Sequence, residues 1–192
     1  MYARVLSLIA AIFTLSAFAP AQAQSADTEE SEVLGQFTRS SRTLMGDRVG
    51  ALYALQVTPR GGHACQVRAF YRGEAPKTAR FCRGRVLGRY VARSGVTQLG
   101  VGEVLTGLSL CTTERRGGRA GVVARIRLHS SEGGEPAELA LQECANAYEA
   151  AHCETGWAVQ GVEFFFDGDP SRFSHRDLIG LRPLCGRLPA RY

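Results

Sequence analysis

Asp167, Asp169, Ser171, His175 and Asp177 crowd into one short stretch, Asp-Gly-Asp-Pro-Ser-Arg-Phe-Ser-His-Arg-Asp, and Trp157 lies shortly upstream. Two carboxylates separated by a glycine can hold a hard cation through oxygen ligands, or accept hydrogen bonds from sugar hydroxyls. A tryptophan face offers a platform for a sugar ring. The spacing is not that of an EF-hand loop, so no metal and no cofactor is expected. Asp-Gly-Asp-Pro is also ordinary turn chemistry, and a lone tryptophan in a β domain commonly serves the core. The candidate ligand-binding set is Asp167, Asp169, His175, Asp177 and Trp157, with no catalytic residue assigned.

Other chemistries find less support. Glycoside hydrolysis needs two carboxyls placed across a cleft; Glu103, Glu163 and Asp167 are available, but nothing in their spacing selects them. There is no G-x-S-x-G elbow and no Walker motif. His63, His129, His152 and His175 lack metal-ligand spacing, and Gly100-Val101-Gly102 is too short for a dinucleotide fingerprint. The net charge is +5, and all 23 basic residues except Lys77 are arginines. Apart from Arg115-Arg116-Gly-Gly-Arg119 they are scattered among apolar strands, which reads as solvated surface, and no nucleic-acid partner is expected.

The residues around Asp167 must be carried by strands. Val162, Phe164 and Phe166 alternate with Glu163, Phe165 and Asp167, the period of a strand with one buried face. Gly168 and Pro170 break it, and a second strand follows over Leu178–Cys185. The pattern recurs. Val67-Arg68, Ile126-Arg127 and Leu181-Arg182 align on the second strand of three hairpins; Leu55, Leu110 and Phe164 align on the first. Gly107 and Gly161 open two of the first strands, with Leu52 in that place in the other. The chain thus divides into three units of roughly 55 residues, about 43–94, 95–149 and 150–192. One such unit cannot bury its apolar face alone, so three must pack about a shared axis. Val67, Ile126, Leu181, Leu55, Leu110 and Phe164 should all be buried. Arg68, Arg127 and Arg182 recur at one position, as scaffold hydrogen-bonders or as contacts for an anion or glycan, the first being favoured. Residues 139–152 read two ways: a strand over the first half, from the repeat, or a helix, from composition.

Residues 1–23 read as a secretory signal, with Arg4, the apolar run Val5–Phe18 and Ala21-Gln22-Ala23. No other stretch is long and apolar enough for a membrane span. The polar, acidic segment 24–33 reads as a flexible lead-in, and 34–192 as a single β domain. The six cysteines of an exported chain argue for three disulfides, and sequence alone does not choose among 15 pairings.

Cys153, Gly156, Gly161, Val162 and Phe164, followed by Gly180, Leu181, Arg182 and Cys185, carry a resemblance. They are similar to the repeat unit of the vitelline membrane outer layer protein I family. The resemblance covers most of the chain after residue 23 and is sharpest in the third unit. It implies an all-β β-prism: three antiparallel Greek-key sheets around a pseudo-threefold axis. It also implies a Cys153–Cys185 bond. Folding at Glu74-Ala75 brings Cys65 and Cys82 within reach of each other, which leaves Cys111 and Cys144 as a pair. A helix over 139–152 would favour Cys144–Cys153 instead. The reading of function is a secreted or periplasmic, disulfide-bonded protein of an extracellular coat or envelope, non-catalytic and glycan-binding. The alternatives are a glycan-acting hydrolase or transglycosylase using loop carboxylates, and a purely structural coat component. Oligomeric state is not legible.

Overall fold

The computed structural model describes residues 28–47, 50–60, 63–80, 95–114, 121–167 and 177–188. Residues 1–23, Asp169, His175 and the Cys82 partner of the expected Cys65–Cys82 bond lie outside them. Every regular element among the described residues is a strand: β1 Thr28–Glu30, β2 Leu34–Gly35, β3 Ser41–Met45, β4 Leu52–Arg60, β5 His63–Tyr71, β6 Lys77–Arg80, β7 Gly95–Gln98, β8 Leu105–Thr112, β9 Val123–Ser130, β10 Ala137–Ala140, β11 Glu149–His152, β12 Trp157–Phe166 and β13 Leu178–Arg187.

These strands form three antiparallel sheets with one design. A long central hairpin is flanked by a short strand on each side: β6-β5-β4-β7, then β10-β9-β8-β11. The third sheet places β12 and β13 at the centre, β3 beside β12, and β1 and β2 end to end along β13. Its flanking strands therefore come from the beginning of the described chain and its central hairpin from the end. Two expectations are corrected here. Gly95–Gln98 completes the first unit and Glu149–His152 the second, so the boundaries at 94/95 and 149/150 move. The lead-in 24–33 is not wholly flexible, because Thr28–Glu30 pairs with Leu184–Gly186 and the Ser31 hydroxyl donates to Pro183 O at 2.8 Å.

Residues 139–152 contain no helix. Leu139 pairs with Ile126 on one flank and Ala151 with Leu108 on the other, and both are buried. Tertiary pairing overrides a helical composition when it buries apolar side chains at both ends of the segment.

The six marker residues Leu55, Val67, Leu110, Ile126, Phe164 and Leu181 are all fully buried, in one core to which all three sheets contribute. The register refines their equivalence. Ile126 faces Leu110 and Leu181 faces Phe164, but Val67 faces Val57 rather than Leu55. The first strand of the first unit is thus displaced by two residues from the sequence alignment. Each first strand carries a bulge at one place: Tyr53, Thr106 and Gln160 are the extra residues, followed by Ala54, Gly107 and Gly161. Ala54, not Leu52, is therefore the counterpart of the two glycines.

Phe165, expected to alternate outward, is also buried. Phe37 packs on its outer side, with ring centroids 5.3 Å apart. Tyr71 ties the first sheet to the third: it is buried, and its hydroxyl donates to Leu44 O at 2.8 Å. Burial, then the nearby Glu74 charge, hold its phenol well above the ordinary tyrosine range.

Candidate functional site

The segment after β2 organises one end of the third sheet. Gly35 has φ +78°, and a Cβ there would meet Ile179 O at 2.5 Å, so only glycine lets the chain turn this close to β13. Gln36 N then donates to Ile179 O at 3.0 Å, and the Thr38 hydroxyl donates to Phe166 O at 2.9 Å. Residues 35–40 thereby run past the mouth of the β12–β13 hairpin. Asp167 N donates to Asp177 O at 2.9 Å across that mouth. The structure thus brings Asp167 and Asp177 together, Asp167 exposed and Asp177 half-buried. It does not bring Trp157 to them. Trp157 opens β12 and Asp167 follows its last residue, so the two lie roughly 30 Å apart. The Trp157 ring faces the Arg187 guanidinium, 5.5 Å from its centroid, at the other end of the sheet. A sequence places them close together; an extended strand holds them apart.

On the other side of residues 35–36 is a polar cleft of about 570 Å³ between the third and second sheets. Its walls are Gly35 and Gln36, the mouth of the β8–β9 hairpin (Thr112, Glu114, Gly121), and the β10–β11 connection from Asn146 to Glu149. That connection has no regular structure, yet it is pinned. A Cys111–Cys144 disulfide fastens it to β8. Ala145 N and Asn146 N donate to Thr112 O at 2.9 and 3.2 Å, and Asn146 Nδ2 donates to Thr112 Oγ1 at 2.8 Å and Thr113 O at 3.2 Å. Glu149 Oε2 accepts from Gly35 N at 2.6 Å and joins the two walls. Asn146 Oδ1 and Glu149 Oε1 have no partner among the described residues. Two acceptors on a fixed frame suit a ligand rich in hydroxyl donors.

Tyr148 is fixed from behind. Its hydroxyl donates to Glu138 Oε2 at 2.7 Å, and the Arg127 guanidinium lies 3.7 Å from its ring centroid. Glu138 also accepts from Arg127 at 2.7 Å and from Arg125 at 3.0 Å. The Tyr148 hydrogen bond, with those from the two arginines, holds the Glu138 carboxyl below its usual range; burial and the bond to Glu138 push the Tyr148 phenol up. Arg182 occupies the matching place in the third sheet, paired with Glu163 at 2.6 Å and Glu30 at 2.5 Å. Arg127 and Arg182 are thus engaged in the scaffold, as the favoured reading expected, whereas Arg68 is exposed and has no side-chain hydrogen bond or ion pair among the described residues.

The carboxylates considered for acid–base hydrolysis do not form a pair. Glu163 is in its ion pair, Glu103 accepts from Gly100 N at 2.6 Å, and Asp167 stands at the end of β12. Sequence reasoning also missed a serine–histidine contact, Ser109 Oγ to His129 Nε2 at 2.9 Å. Ser109 is 3% exposed, so it cannot meet a substrate. The disulfides Cys111–Cys144 and Cys153–Cys185 are both present, with Cα–Cα distances of 5.7 and 5.5 Å.

No family model matches the sequence, and no curated protein does. Solved structures match the fold. Calystegia sepium agglutinin aligns with a TM-score of 0.56 at 10% identity, over 83% of this chain and 98% of that one. Calsepa lectin in complex with a biantennary N-glycan gives 0.55 at 11%, over 83% and 96%. Single-chain recombinant jacalin gives 0.54 at 12%, over 86% and 98%. With the three sheets and their shared core, these matches establish the fold of this chain as the β-prism of the jacalin-like lectins.

Proposed function

We propose that the protein is an exported, non-catalytic glycan-binding protein and that the cleft between the second and third sheets takes the sugar. One observation carries this reading: Asn146 Oδ1 and Glu149 Oε1 line an open cleft whose wall at 144–149 is already fixed by a disulfide and by five hydrogen bonds to Thr112, Thr113 and Gly35. Binding to a prepared frame avoids the cost of ordering loops. Asp167 and Asp177, at the hairpin mouth that residues 35–40 run past, would extend the same surface; Asp169 and His175, candidates from the sequence, lie outside the described residues. Trp157 has no part in it. The similarity to lectins supports the ligand class, and the disulfides support an oxidising compartment. No helix among the described residues is long and apolar enough to cross a membrane. The third unit's Cys153–Cys185 bond supports a relation to the vitelline membrane outer layer protein I family.

A glycan array probed with oxidised protein, followed by a chitooligosaccharide cleavage assay, tests the reading. Saturable binding without turnover is expected. Turnover would favour the glycan-acting enzyme, and neither binding nor turnover the structural coat component.

A further inference from the structure

Gly107 of β8 pairs with His129 of β9 on one side and with His152 of β11 on the other. Because Gly107 has no side chain, the two imidazoles close over it and meet edge-on, with ring centroids 4.8 Å apart. A Cβ at Gly107 would collide with the His152 ring and lie 2.8 Å from Ala151 O. The pseudo-threefold repeat shows what the scaffold itself requires here. In the third sheet Gly161 lies between Leu184 and Met45; in the first, Ala54 lies between Phe70 and Gln98. Neither pair ionises near neutral pH. The second sheet alone fills this position with two titratable rings, so packing does not demand them.

We propose that the His129–His152 pair is an acid-sensitive clasp that holds β11 on β8 at neutral pH and releases it on acidification. Two imidazolium rings in edge contact repel each other. His129 is further disfavoured as a cation by its partial burial, then by His152 and Arg127, and its Nε2 is held by Ser109 Oγ. On its other side His152 borders a small cleft walled by Glu29, Glu30, Glu32 and Glu154. Those carboxylates are the charged groups that face the pair on that side, with Arg127 on the other. A histidine held neutral in the fold contributes stability that is present above its unfolded pKa near 6.5 and lost as pH falls below it. The strand released is short: β11 has four residues, lies at the sheet edge, and begins at the cleft wall Tyr148–Glu149. The inference rests on strand geometry and does not depend on what the cleft binds.

Amide hydrogen exchange on the full oxidised chain at pH 7.5 and 5.0, expressed as protection factors, tests it. Protection of Ala150–Cys153 should fall by about tenfold or more at the lower pH, while β12 and β13 keep theirs. His152→Met, which restores the third sheet's neutral neighbour and leaves the His129–Ser109 bond in place, should abolish the fall. His129→Gln, which can still bond Ser109, should do the same. Equal wild-type protection at both pH values overturns the proposal, and so does an unchanged fall in either variant that folds by circular dichroism. If both variants fail to fold, wild-type imidazole titrations followed by NMR decide: coupled titration of the two rings upholds the clasp, and two independent titrations overturn it.

Discussion

Replacing Phe164 with Ala asks whether three sheets share one core. Phe164 is fully buried at the centre of β12, opposite Leu181, and its counterparts are Leu110 and Val57. Truncating a buried phenylalanine costs about 3–5 kcal/mol, the lost transfer energy plus the cavity left behind. A domain is typically stable by about 5–15 kcal/mol, so this is about a fifth or more of the total. With a urea slope of about 2 kcal/mol/M the midpoint should fall by about 2 M. Val57→Ala at the equivalent position removes fewer methylenes and should cost about 2 kcal/mol. Urea melts followed by far-ultraviolet circular dichroism, without reductant, give both numbers. A loss for Phe164→Ala under about 1 kcal/mol, or a third sheet that melts apart from the other two, would refute the shared core.

Tyr71→Phe keeps the ring and deletes the hydrogen bond to Leu44 O, so it should cost about 1–3 kcal/mol, because a buried carbonyl loses its donor. The raised Tyr71 pKa adds a pH test: its share of stability is complete below pH 10 and should fall as pH rises above it, in the wild type and not in Tyr71→Phe, read from melting temperatures at pH 8 and 11. Gly161→Val should destabilise by at least about 2 kcal/mol in urea melts, since its Cβ would lie 2.9 Å from Leu44 O of the neighbouring strand. Replacing Cys111 and Cys144 together by serine should cost about 2–5 kcal/mol and loosen residues 141–148 first, as exchange of their amides will report.

Much of this architecture is legible in the sequence because alternation reports which face of a strand is buried. The six buried markers all follow from it. Register does not. A slip of one residue would turn Leu55 outward, but a slip of two leaves the alternation intact, so the sequence cannot distinguish Leu55 from Val57 as the partner of Val67. The strand at Thr28–Glu30 leaves no apolar trace, since all three residues are exposed on a sheet edge. Membership of the third sheet is set by contacts more than a hundred residues away in the chain. The cleft is hidden for a related reason. Asn146, Tyr148 and Glu149 belong to no motif; a disulfide, Thr112 and Gly35 bring them together. Asp167 and Asp177 come together because a hairpin makes sequence neighbours into spatial neighbours, and Trp157 lies far from them because a strand does the opposite.

The most direct test of glycan binding in the cleft compares wild type with Glu149→Gln and Trp157→Leu on one glycan array, followed by calorimetry on the best sugar. Glutamine can still accept from Gly35 N, so Glu149→Gln spares the link between the walls and removes only the charge offered to the ligand. A charge-assisted hydrogen bond contributes about 1.5–3 kcal/mol, so affinity should fall by about 10- to 100-fold, while Trp157→Leu, at the far end of the sheet, should bind as wild type does. Binding that survives Glu149→Gln but is lost in Trp157→Leu would contradict the account.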